Sequence, residues 1–584
     1  MNLEDISNTQ IIKIRSQINE KYAQKPVSTD RRIYGTNKKY IFDNFADRNE
    51  FSRDRDRIIF SKAFRRLEHK AQVYSHEKGD HYRTRLTHTI EVMQIARSIA
   101  RNLGLNEDLT EAIALGHDIG HTAFGHQGED VLNKIMQGKD DLGGKLKYSM
   151  SYGGFKHNFN GLRILDVLER KYPDKKGLNL TWQVIDGILK HTDIEKEDNK
   201  WDINRFIRSK DWIKGILKFK NPVTLEGQIV SIADEITQRQ HDLDDGLRDK
   251  NLGLTESKII DFIQKTINYK TSNNDSKYFE VKLLEELEEN IKNRENEVIS
   301  NSISEKELDN YKWNSLIRDI IDFFIKDVTL NSLGNFRKLK TSDLIEDLEY
   351  KRTYFNSEDK IIYFGELGKQ FNDILENFIN NQILNSYTVN IFDGKAIYIV
   401  RQLFKAYYEN PKQMPQETLD KLSIRIQKNS ENYCKLKLKN KSLDDLNFRK
   451  SYPRDIDKLI QLLKLDNNKE ELEMIYKKTY NDNTTLNLDK DFFRIITGNI
   501  NDINYECEYC DDNFEKKIIY KIFNKVNSLN EKEIKGKKNN ISKKLIFVKC
   551  LIEHHYAYMS LICDYIAGMT DNYANSEYKK LYLV

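Results

Sequence analysis

Apolar residues recur along most of this chain at intervals of three and four, which place them on one face of a helix. Leu86, Ile90 and Met93 mark one such stripe, and Ile95, Ile99 and Leu103 continue an apolar band up to Gly104, where the helix is expected to end. Asn106 is a favoured N-cap residue and predicts the start of a second helix. No stretch alternates apolar and polar positions strongly enough to indicate a large sheet, so the pattern predicts an all-α fold.

Further helices are expected along the chain, together with one long glycine-rich loop. The apolar spacing places these helices at about 158–171, at about 181–192, after Pro222 and through 255–330, and the glycines place the loop at 138–154. The sequence contains 6 prolines in 584 residues. Because proline breaks helix interiors, its scarcity permits long helices.

Composition narrows the class of protein. Hydrophobic residues make up 39% of the sequence, enough for a sizeable core, and 95 basic residues against 91 acidic ones give a net charge of +4. A disordered chain would combine few aromatics with a large net charge, and a nucleic-acid coat protein would be globally basic. No apolar run approaches the roughly 18 residues of a membrane span. The first residues lack a secretory signal, so we expect a cytoplasmic protein with no membrane partner.

The 5 cysteines are too few for a disulfide scaffold, which fits a reducing compartment. Cys507 and Cys510 form a CxxC pair that invites a zinc interpretation. No second CxxC completes a four-cysteine site, and only side chains distant in sequence, such as Cys550 or His554, could do so. Whether Cys507 and Cys510 bind zinc stays open at this point.

Histidine is concentrated in one region of the chain. Five of the 12 histidines lie between positions 81 and 126, and His117 is followed directly by Asp118. A neighbouring imidazole and carboxylate offer one nitrogen and one oxygen to a divalent cation, a mixed set that suits Mn, Fe, Co, Zn or Mg. His88 and Asp234 are candidates for the remaining ligands because each lies among apolar helical residues, where an unpaired polar group is costly.

Two other interpretations of these histidines stay open. A histidine on an apolar face is more often a hydrogen-bonded core residue than a metal ligand. His117 and His121 also have the four-residue spacing of the HExxH zinc proteases. That motif needs a glutamate within a continuous helix, whereas Asp118 and Gly120 occupy the positions between these histidines.

The residues around this constellation resemble a known family. His88, His117-Asp118 and Asp234 follow the order of the H…HD…D signature of HD-domain metal-dependent phosphohydrolases. The longer motifs are similar to those of deoxyguanosine triphosphate triphosphohydrolases. They occupy residues 64–67, 70–73, 82–88, 117–129 and 562–571.

This resemblance implies an all-helical HD core with an additional C-terminal helical region. The expected segments are a polar N-terminal segment at 1–50, an HD core at 51–410 with its metal motifs within 82–245, and a C-terminal region at 411–584 with a divergent insert at about 420–545. The implied reaction converts a dNTP, with dGTP given by the family name, to deoxynucleoside plus inorganic triphosphate. The implied cofactor is a divalent cation, namely Mn, Mg, Fe or Co.

The resemblance also implies roles for individual residues. Its metal ligands are His88, His117, Asp118 and Asp234. His126 and Glu129 would form the catalytic pair, with the carboxylate orienting an imidazole three residues earlier. The substrate-binding residues would be Gln72 and Asp242 at the sugar, and Arg85, His121, His157 and Lys190 at the phosphates. Gln238 stands where relatives usually place a tyrosine against the sugar, which leaves ribose exclusion in question.

The implied partners are a dNTP substrate and further copies of the chain, in a tetramer or hexamer. Single-stranded DNA or a dNTP are candidate effectors, with the lysine-rich residues 535–544 as the candidate DNA patch, although such a run is more often a solvated loop. Two alternative functions stay open. One is a different HD-domain nucleotide phosphohydrolase, and the other is a nucleic-acid or nucleotide-binding regulator with secondary hydrolysis.

Overall fold

The computed structural model describes residues 8–25, 48–74, 82–146, 151–171, 177–192, 218–254, 278–300, 305–339, 343–347, 352–355, 360–421, 437–438, 503–504 and 556–583. Three sequence-based expectations lie outside these residues. They concern the Cys507/Cys510 pair, the lysines of 535–544 and nearly all of the insert at 420–545.

The described residues are mainly helical, which confirms the expected all-α class. The helices are α1 (Asn8–Lys21), α2 (Glu50–Ile59), α3 (Lys62–Arg66), α4 (Arg85–Leu103), α5 (Glu107–Gly116), α6 (Gly125–Met136), α7 (His157–Arg163), α8 (Trp182–Leu189), α9 (Leu225–Arg248), α10 (Tyr278–Ser300), α11 (Glu305–Phe336), α12 (Glu366–Ile379), α13 (Tyr387–Glu409), α14 (556–567) and α15 (Asp571–Tyr582). None of the helices in these ranges is long and apolar enough to cross a membrane.

Short helical turns and two small strand pairs complete the secondary structure of these residues. The 3₁₀ turns are Leu67–His69, His117–Gly120, Lys250–Leu252 and Pro411–Gln413, and the π turns are Ile164–Leu168 and Asn380–Leu384. The antiparallel strand pairs are β1 (Leu344–Asp347) with β2 (Arg352–Phe355), and β3 (Lys437–Leu438) with β4 (Ile503–Asn504).

Two compact units are interleaved along the chain. The first unit comprises Met1–Glu129, Lys156–Ala396 and Thr570–Asn572, and the second comprises Asp130–Phe155, Ile397–Met569 and Tyr573–Val584. The division into three consecutive segments that the sequence suggested stays a prediction.

The second unit contains helical residues that are joined by polar contacts. The Tyr558 hydroxyl donates to the carbonyl oxygens of Tyr407 and Tyr408, at 2.6 and 3.0 Å. The Arg401 guanidinium makes two bonds to the Asp140 carboxylate, at 2.7 and 2.9 Å. These bonds join α13 to α14 and to the loop after α6 within that unit.

The core of the first unit is built around two long helices, α4 and α9. The α4 helix packs against α5, α9 and α11, and α9 also packs against α8 and α12. Thr84 caps the start of α4 in a reciprocal bond with Thr87, and Gly104 ends the helix in a left-handed conformation with φ of 75°. The Thr224 hydroxyl caps α9 by accepting the Gly227 N–H at 3.1 Å. Both helices therefore begin at defined residues, and this determines which of their side chains point into the core.

The buried face of α4 follows one of the two apolar bands that the sequence indicates. Ile95, Ile99 and Leu103 are buried, whereas Leu86 and Met93 are half-buried and Ile90 is 46% exposed. The buried face also includes the polar side chains of Arg85 and His88 in the first two turns. The helix therefore packs apolar residues of its C-terminal half into the core and directs polar side chains inwards near its start.

The predicted helices around the histidines are confirmed, two of them in shorter form. The Asn106 side chain accepts the Leu109 N–H at 3.0 Å and caps α5. The predicted helices at about 158–171 and 181–192 correspond to α7 with its π turn and to α8. A Cβ atom on Gly120 would lie 1.9 Å from the carbonyl oxygen of His157, so only glycine lets the turn after α5 approach α7 this closely.

Candidate functional site

Four predicted ligands converge from three elements of the first unit. His88 lies on α4, His117 and Asp118 form the turn after α5, and Asp234 lies on α9. The His88 Nε2 atom is 3.0 Å from Asp234 Oδ1, and His117 Nε2 is 3.6 Å from the same oxygen. Asp118 closes the group, with one oxygen 3.6 Å from His117 Nε2 and the other 3.9 Å from His88 Nε2. The structure thus brings two imidazoles and two carboxylates together.

The chemistry of this group fits a divalent cation. His117 Nδ1 donates to the carbonyl oxygen of Ala114 at 2.6 Å, so in the neutral ring Nε2 is the acceptor. That Nε2 atom is buried and has no hydrogen-bond partner among the described residues. The ligand atoms of His88, His117 and Asp234 all lie within 4.8 Å of one another. A lone pair that faces carboxylates in this way suits a cation of the nitrogen- and oxygen-binding class.

The electrostatics of the group favour positive charge at this position, carried by a bound cation or, without one, by a protonated His117. Burial acts to lower the pKa of His117, but the Asp118 and Asp234 carboxylates and a backbone carbonyl outweigh it and raise the pKa to about 9. Burial acts to raise the pKa of Asp234, but the His117 and His88 rings outweigh it and hold the pKa well below its usual range. The carboxylates are therefore anionic at neutral pH and attract positive charge to this position.

A second cluster of three imidazoles and one carboxylate lies beside the first. It consists of His121, His126, Glu129 and His157, and one ligand atom from each lies within 4.8 Å of the others. The His121 and His157 rings are stacked with centroids 3.9 Å apart, and His121 Nε2 is 3.0 Å from Asp118 Oδ1. Asp118 therefore borders both clusters.

The carboxylate of this cluster is bonded to a different imidazole from the expected one. Glu129 Oε2 accepts a hydrogen bond from His157 Nδ1 at 2.7 Å, whereas the sequence predicted that Glu129 orients His126. His126 is exposed, and its ring makes no hydrogen bond to the residues that the structure describes. His126 is therefore free to exchange a proton with a bound molecule, while Glu129 and His157 hold each other in place.

Arg85 lies between the two clusters as a buried cation. Its Nη1 donates to Asp118 Oδ2 at 2.8 Å, and its Nε and Nη2 atoms are buried without a partner in the described part of the chain. A Cβ atom on Gly125 would lie 2.9 Å from Nη2, so the backbone approaches the guanidinium closely there. Buried N–H donors without acceptors are costly, and two on one guanidinium suit an anionic ligand.

The loop that leads into α6 is fixed by a residue from the far end of the chain. Asp571 accepts the Phe124 N–H through Oδ1 and the Ala71 N–H through Oδ2, each at 2.8 Å. Phe124 has a φ of 60°, which is a strained conformation for a non-glycine residue. The buried Lys70 ammonium also donates to the carbonyl oxygen of His121 in this loop. These contacts place the start of α6, and hence His126 and Glu129.

The remaining predicted substrate residues occupy different surroundings. Gln72 Oε1 and Asp242 Oδ1 are buried atoms without a hydrogen-bond partner among the described residues. Burial raises the pKa of Asp242 to about 7. Lys190 is buried in an ion pair with Asp186, at 2.6 Å, so the structure does not place its ammonium in either histidine cluster. Its neighbour His191 lies closer to the site, with Nε2 3.2 Å from His157 Nε2.

Sequence reasoning missed four contributors to this site. Lys70 and Asp571 lie within the family motifs at 70–73 and 562–571, but the resemblance implied no role for them. Glu91 and His241 lie outside the predicted site. His241 lies seven residues after Asp234, which is close to two full helical turns, so helical spacing already placed it on the same face of α9. No comparable signal links Asp571 to residues 71 and 124, because those contacts cross most of the chain.

Two family models match parts of the chain. The HD domain model matches residues 85–238, which include all four residues of the first cluster. The phosphohydrolase-associated domain model matches residues 552–580, which include Asp571.

Curated relatives match between 35% and 65% of the chain. A deoxyguanosinetriphosphate triphosphohydrolase-like protein of Geobacter metallireducens is 36% identical over 382 residues, covering 65% of this chain and 82% of the relative. A protein of the same name from Pelagibacter ubique is 37% identical over 365 residues, covering 62% of this chain and 84% of the relative. Another, from Caldanaerobacter subterraneus, is 52% identical over 205 residues, covering 35% of this chain and 48% of the relative.

Proposed function

The chain belongs to the deoxyguanosinetriphosphate triphosphohydrolase-like proteins, which are HD-domain phosphohydrolases, and on that premise we propose that it hydrolyses a deoxynucleoside triphosphate. The proposed products are the deoxynucleoside and inorganic triphosphate, with dGTP as the first candidate substrate. One observation carries the proposal. Asp118 contacts the cation-type cluster, the cluster of three imidazoles and a carboxylate, and the guanidinium of Arg85. That guanidinium keeps two buried N–H donors without a partner in the described structure.

In this proposal His88, His117, Asp118 and Asp234 hold a divalent cation. When bound, such a cation supplies Lewis-acid stabilisation of negative charge on the phosphate oxygens. The fit rests on the bare Nε2 atom of His117 and on the carboxylates that face it. The candidate cations are Mn, Mg, Fe and Co, and elemental analysis of the purified protein would identify which of them is bound.

The phosphate chain is assigned to Arg85, with the His121 and His157 rings beside it. The two unpartnered guanidinium nitrogens of Arg85 can donate to phosphate oxygens in the planar arrangement that arginine favours. Lys190 stays a predicted phosphate contact, and a direct role would require its ammonium to leave Asp186.

Bond cleavage is assigned to His126 with Glu129. A water oxygen bonds to the α-phosphorus and loses a proton, the bond from that phosphorus to the 5′-oxygen breaks, and the 5′-oxygen takes up a proton. The exposed ring of His126 has a free nitrogen for this proton transfer, and Glu129 supplies negative charge near the imidazoles. Gln72 and Asp242 are proposed to contact the deoxyribose, because each buries an oxygen that has no hydrogen-bond partner among the described residues.

Oligomeric assembly and an effector role for single-stranded DNA or a dNTP stay predictions. A second nucleotide that activates the enzyme would show itself as turnover in mixtures that single dNTPs do not support.

The test is a phosphorus NMR time course with purified protein, Mn²⁺ or Mg²⁺, and each of the four dNTPs and GTP, singly and mixed. We expect the resonances of free triphosphate, their loss in His117→Ala and Asp234→Ala, and their persistence in His69→Ala, which removes an exposed histidine. Accumulation of pyrophosphate and monophosphate would overturn the triphosphohydrolase assignment in favour of another HD phosphohydrolase. Absence of turnover in every mixture would favour a nucleotide-binding regulator.

A further inference from the structure

A buried histidine that has no assigned role lies directly behind a proposed metal ligand. His241 on α9 is fully buried, and its Nδ1 atom is 3.1 Å from Nδ1 of His88 on α4. The opposite nitrogen of His241, Nε2, is hydrogen-bonded to the Glu91 carboxylate. Three side chains therefore form a continuous line from Glu91 through His241 to His88, whose Nε2 faces Asp234.

The end of this line is fixed by charge. The Arg83 Nε atom lies 3.5 Å from Glu91 Oε1, and the same guanidinium contacts the Asp244 and Asp245 carboxylates at 2.6 and 3.0 Å. Gln240 donates a further bond to Glu91 at 3.4 Å. A carboxylate that is held against a guanidinium accepts hydrogen bonds and has no proton to donate. The bond between Glu91 and His241 is therefore donated by His241 Nε2–H.

The remaining donors and acceptors follow from this assignment. A neutral imidazole has one N–H and one lone pair, so His241 presents the lone pair of Nδ1 to His88. His88 must then donate through its own Nδ1–H, which leaves its Nε2 lone pair directed at Asp118 and Asp234. The second histidine of the cluster reaches the same state by another route, because His117 Nδ1 donates to the carbonyl oxygen of Ala114. Both rings thus expose Nε2 to the same point.

We propose that His241 and Glu91 are positioning residues that fix the tautomer and the ring orientation of His88 for cation binding. The inference rests on the proposed role of His88 as a metal ligand and adds two residues to it. Hydrogen bonds to the far nitrogen of a ligating imidazole typically contribute about 10- to 100-fold to metal affinity. Here the bond comes from a side chain, that of His241, because α4 and α9 pack against each other.

Equilibrium binding of Mn²⁺ to the metal-free full-length protein, followed by the EPR signal of free Mn²⁺, tests the proposal. His241→Phe keeps a buried ring but removes both nitrogens, and we expect Mn²⁺ to bind about 10- to 100-fold more weakly. His241→Gln retains one acceptor and one donor, and we expect it to restore affinity to within a few-fold of the unsubstituted protein. A purely structural role for the ring predicts the opposite ranking, because phenylalanine is the better steric match.

Glu91 gives an independent variant that does not depend on filling a buried space. Its side chain is 37% exposed, so Glu91→Ala is expected to fold and to weaken Mn²⁺ binding by a few-fold. The matched control is Glu107→Ala, which removes a 33% exposed carboxylate that is paired with Arg101, and it should leave Mn²⁺ binding unchanged. Melting temperatures of the metal-free variants separate loss of affinity from loss of folding.

Three outcomes would overturn the proposal. In the first, folded His241→Phe binds Mn²⁺ as tightly as the unsubstituted protein. In the second, His241→Gln and His241→Phe bind Mn²⁺ equally weakly. In the third, Glu91→Ala binds Mn²⁺ as tightly as Glu107→Ala. A His88→Gln variant separates this failure from failure of the proposed function. If Mn²⁺ binding survives His88→Gln, the ligand assignment itself is wrong, whereas loss there with retention in His241→Phe refutes only the positioning role.

Discussion

Replacing Asp242 by asparagine is expected to stabilise the protein at neutral and alkaline pH while weakening substrate binding. Asp242 lies on α9, is 2% exposed, and has a carboxylate oxygen without a hydrogen-bond partner in the described structure. Burial raises its pKa from the ordinary 3.8 to about 7, Asp245 adds to the rise, and Arg239 and Arg83 oppose it. Ionising this carboxyl in the folded protein therefore costs free energy that asparagine, which cannot ionise, avoids.

The sign and size of the effect follow from the pKa. Because the folded-state value lies above the unfolded one, the folded protein binds more protons than the unfolded chain between pH 3.8 and about 7, and stability falls as pH rises through that window. A difference of about three units at roughly 1.4 kcal/mol each gives an upper bound of about 4 kcal/mol. Roughly 2–3 kcal/mol of this falls between pH 5 and pH 8, since part of the loss has already occurred at pH 5.

The measurement is the melting temperature of Asp242→Asn relative to the unsubstituted protein, taken in steps from pH 5 to pH 8.5. We expect the variant to gain stability progressively up to about pH 7 and to keep the gain above it. Asp373→Asn is the control, because Asp373 is an exposed carboxylate on α12 whose pairing with Lys369 contributes at most about 1 kcal/mol. A gain that is equal at pH 5 and pH 8, or a variant that is less stable at pH 8, would refute the reasoning.

Three further substitutions probe the loop and the turn that place the site. Gly120→Ala should lower the free energy of unfolding by more than about 3 kcal/mol, because its Cβ would overlap a backbone carbonyl of α7. The control is Gly334→Ala, whose Cβ meets open space and should not destabilise the protein. Thermal melts compare the two variants. Asp571→Asn places an N–H donor opposite a backbone N–H and should lower the free energy of unfolding by about 1–3 kcal/mol, measured in thermal melts. It should also lower kcat, measured from initial rates, because the strained Phe124 is held less firmly. Glu129→Gln should lower kcat by about 10²- to 10⁴-fold with Mn²⁺ affinity kept, and an unchanged rate of triphosphate release would contradict its catalytic role.

Sequence patterns predicted the helix ends and part of the buried face of α4. The N-cap at Asn106 and the C-terminal glycine of α4 depend only on neighbouring residues, so local patterns were sufficient for them. The apolar band at 95, 99 and 103 is buried as its spacing indicates, but the inward residues also include Arg85 and His88, which hydropathy assigns to the surface. A functional helix departs from aliphatic patterning where its polar side chains are needed inside.

The site itself divides in the same way. The convergence of His88, His117 and Asp234 was predictable because all three belong to the H…HD…D signature. The structure brings their ligand atoms within 4.8 Å of one another. The partner of Glu129 was not, because its bond to His157 joins residues 28 positions apart on separate helices. Such pairings depend on tertiary packing, which neither helical spacing nor a motif contains.

The unpartnered buried atoms at the site differ in kind, and the difference indicates what can occupy it. His117 Nε2 is an acceptor that faces carboxylates, so only a cation or a proton can satisfy it. The Arg85 Nε and Nη2 atoms are donors, so they require an anion or a neutral acceptor. Asp118 contacts both groups, since one oxygen accepts from Arg85 and the other faces His117. A cation at the first position draws charge from the same carboxylate that neutralises Arg85, which strengthens the hold of Arg85 on an anion. Cation binding and phosphate binding are therefore coupled through one side chain, and each is expected to tighten the other.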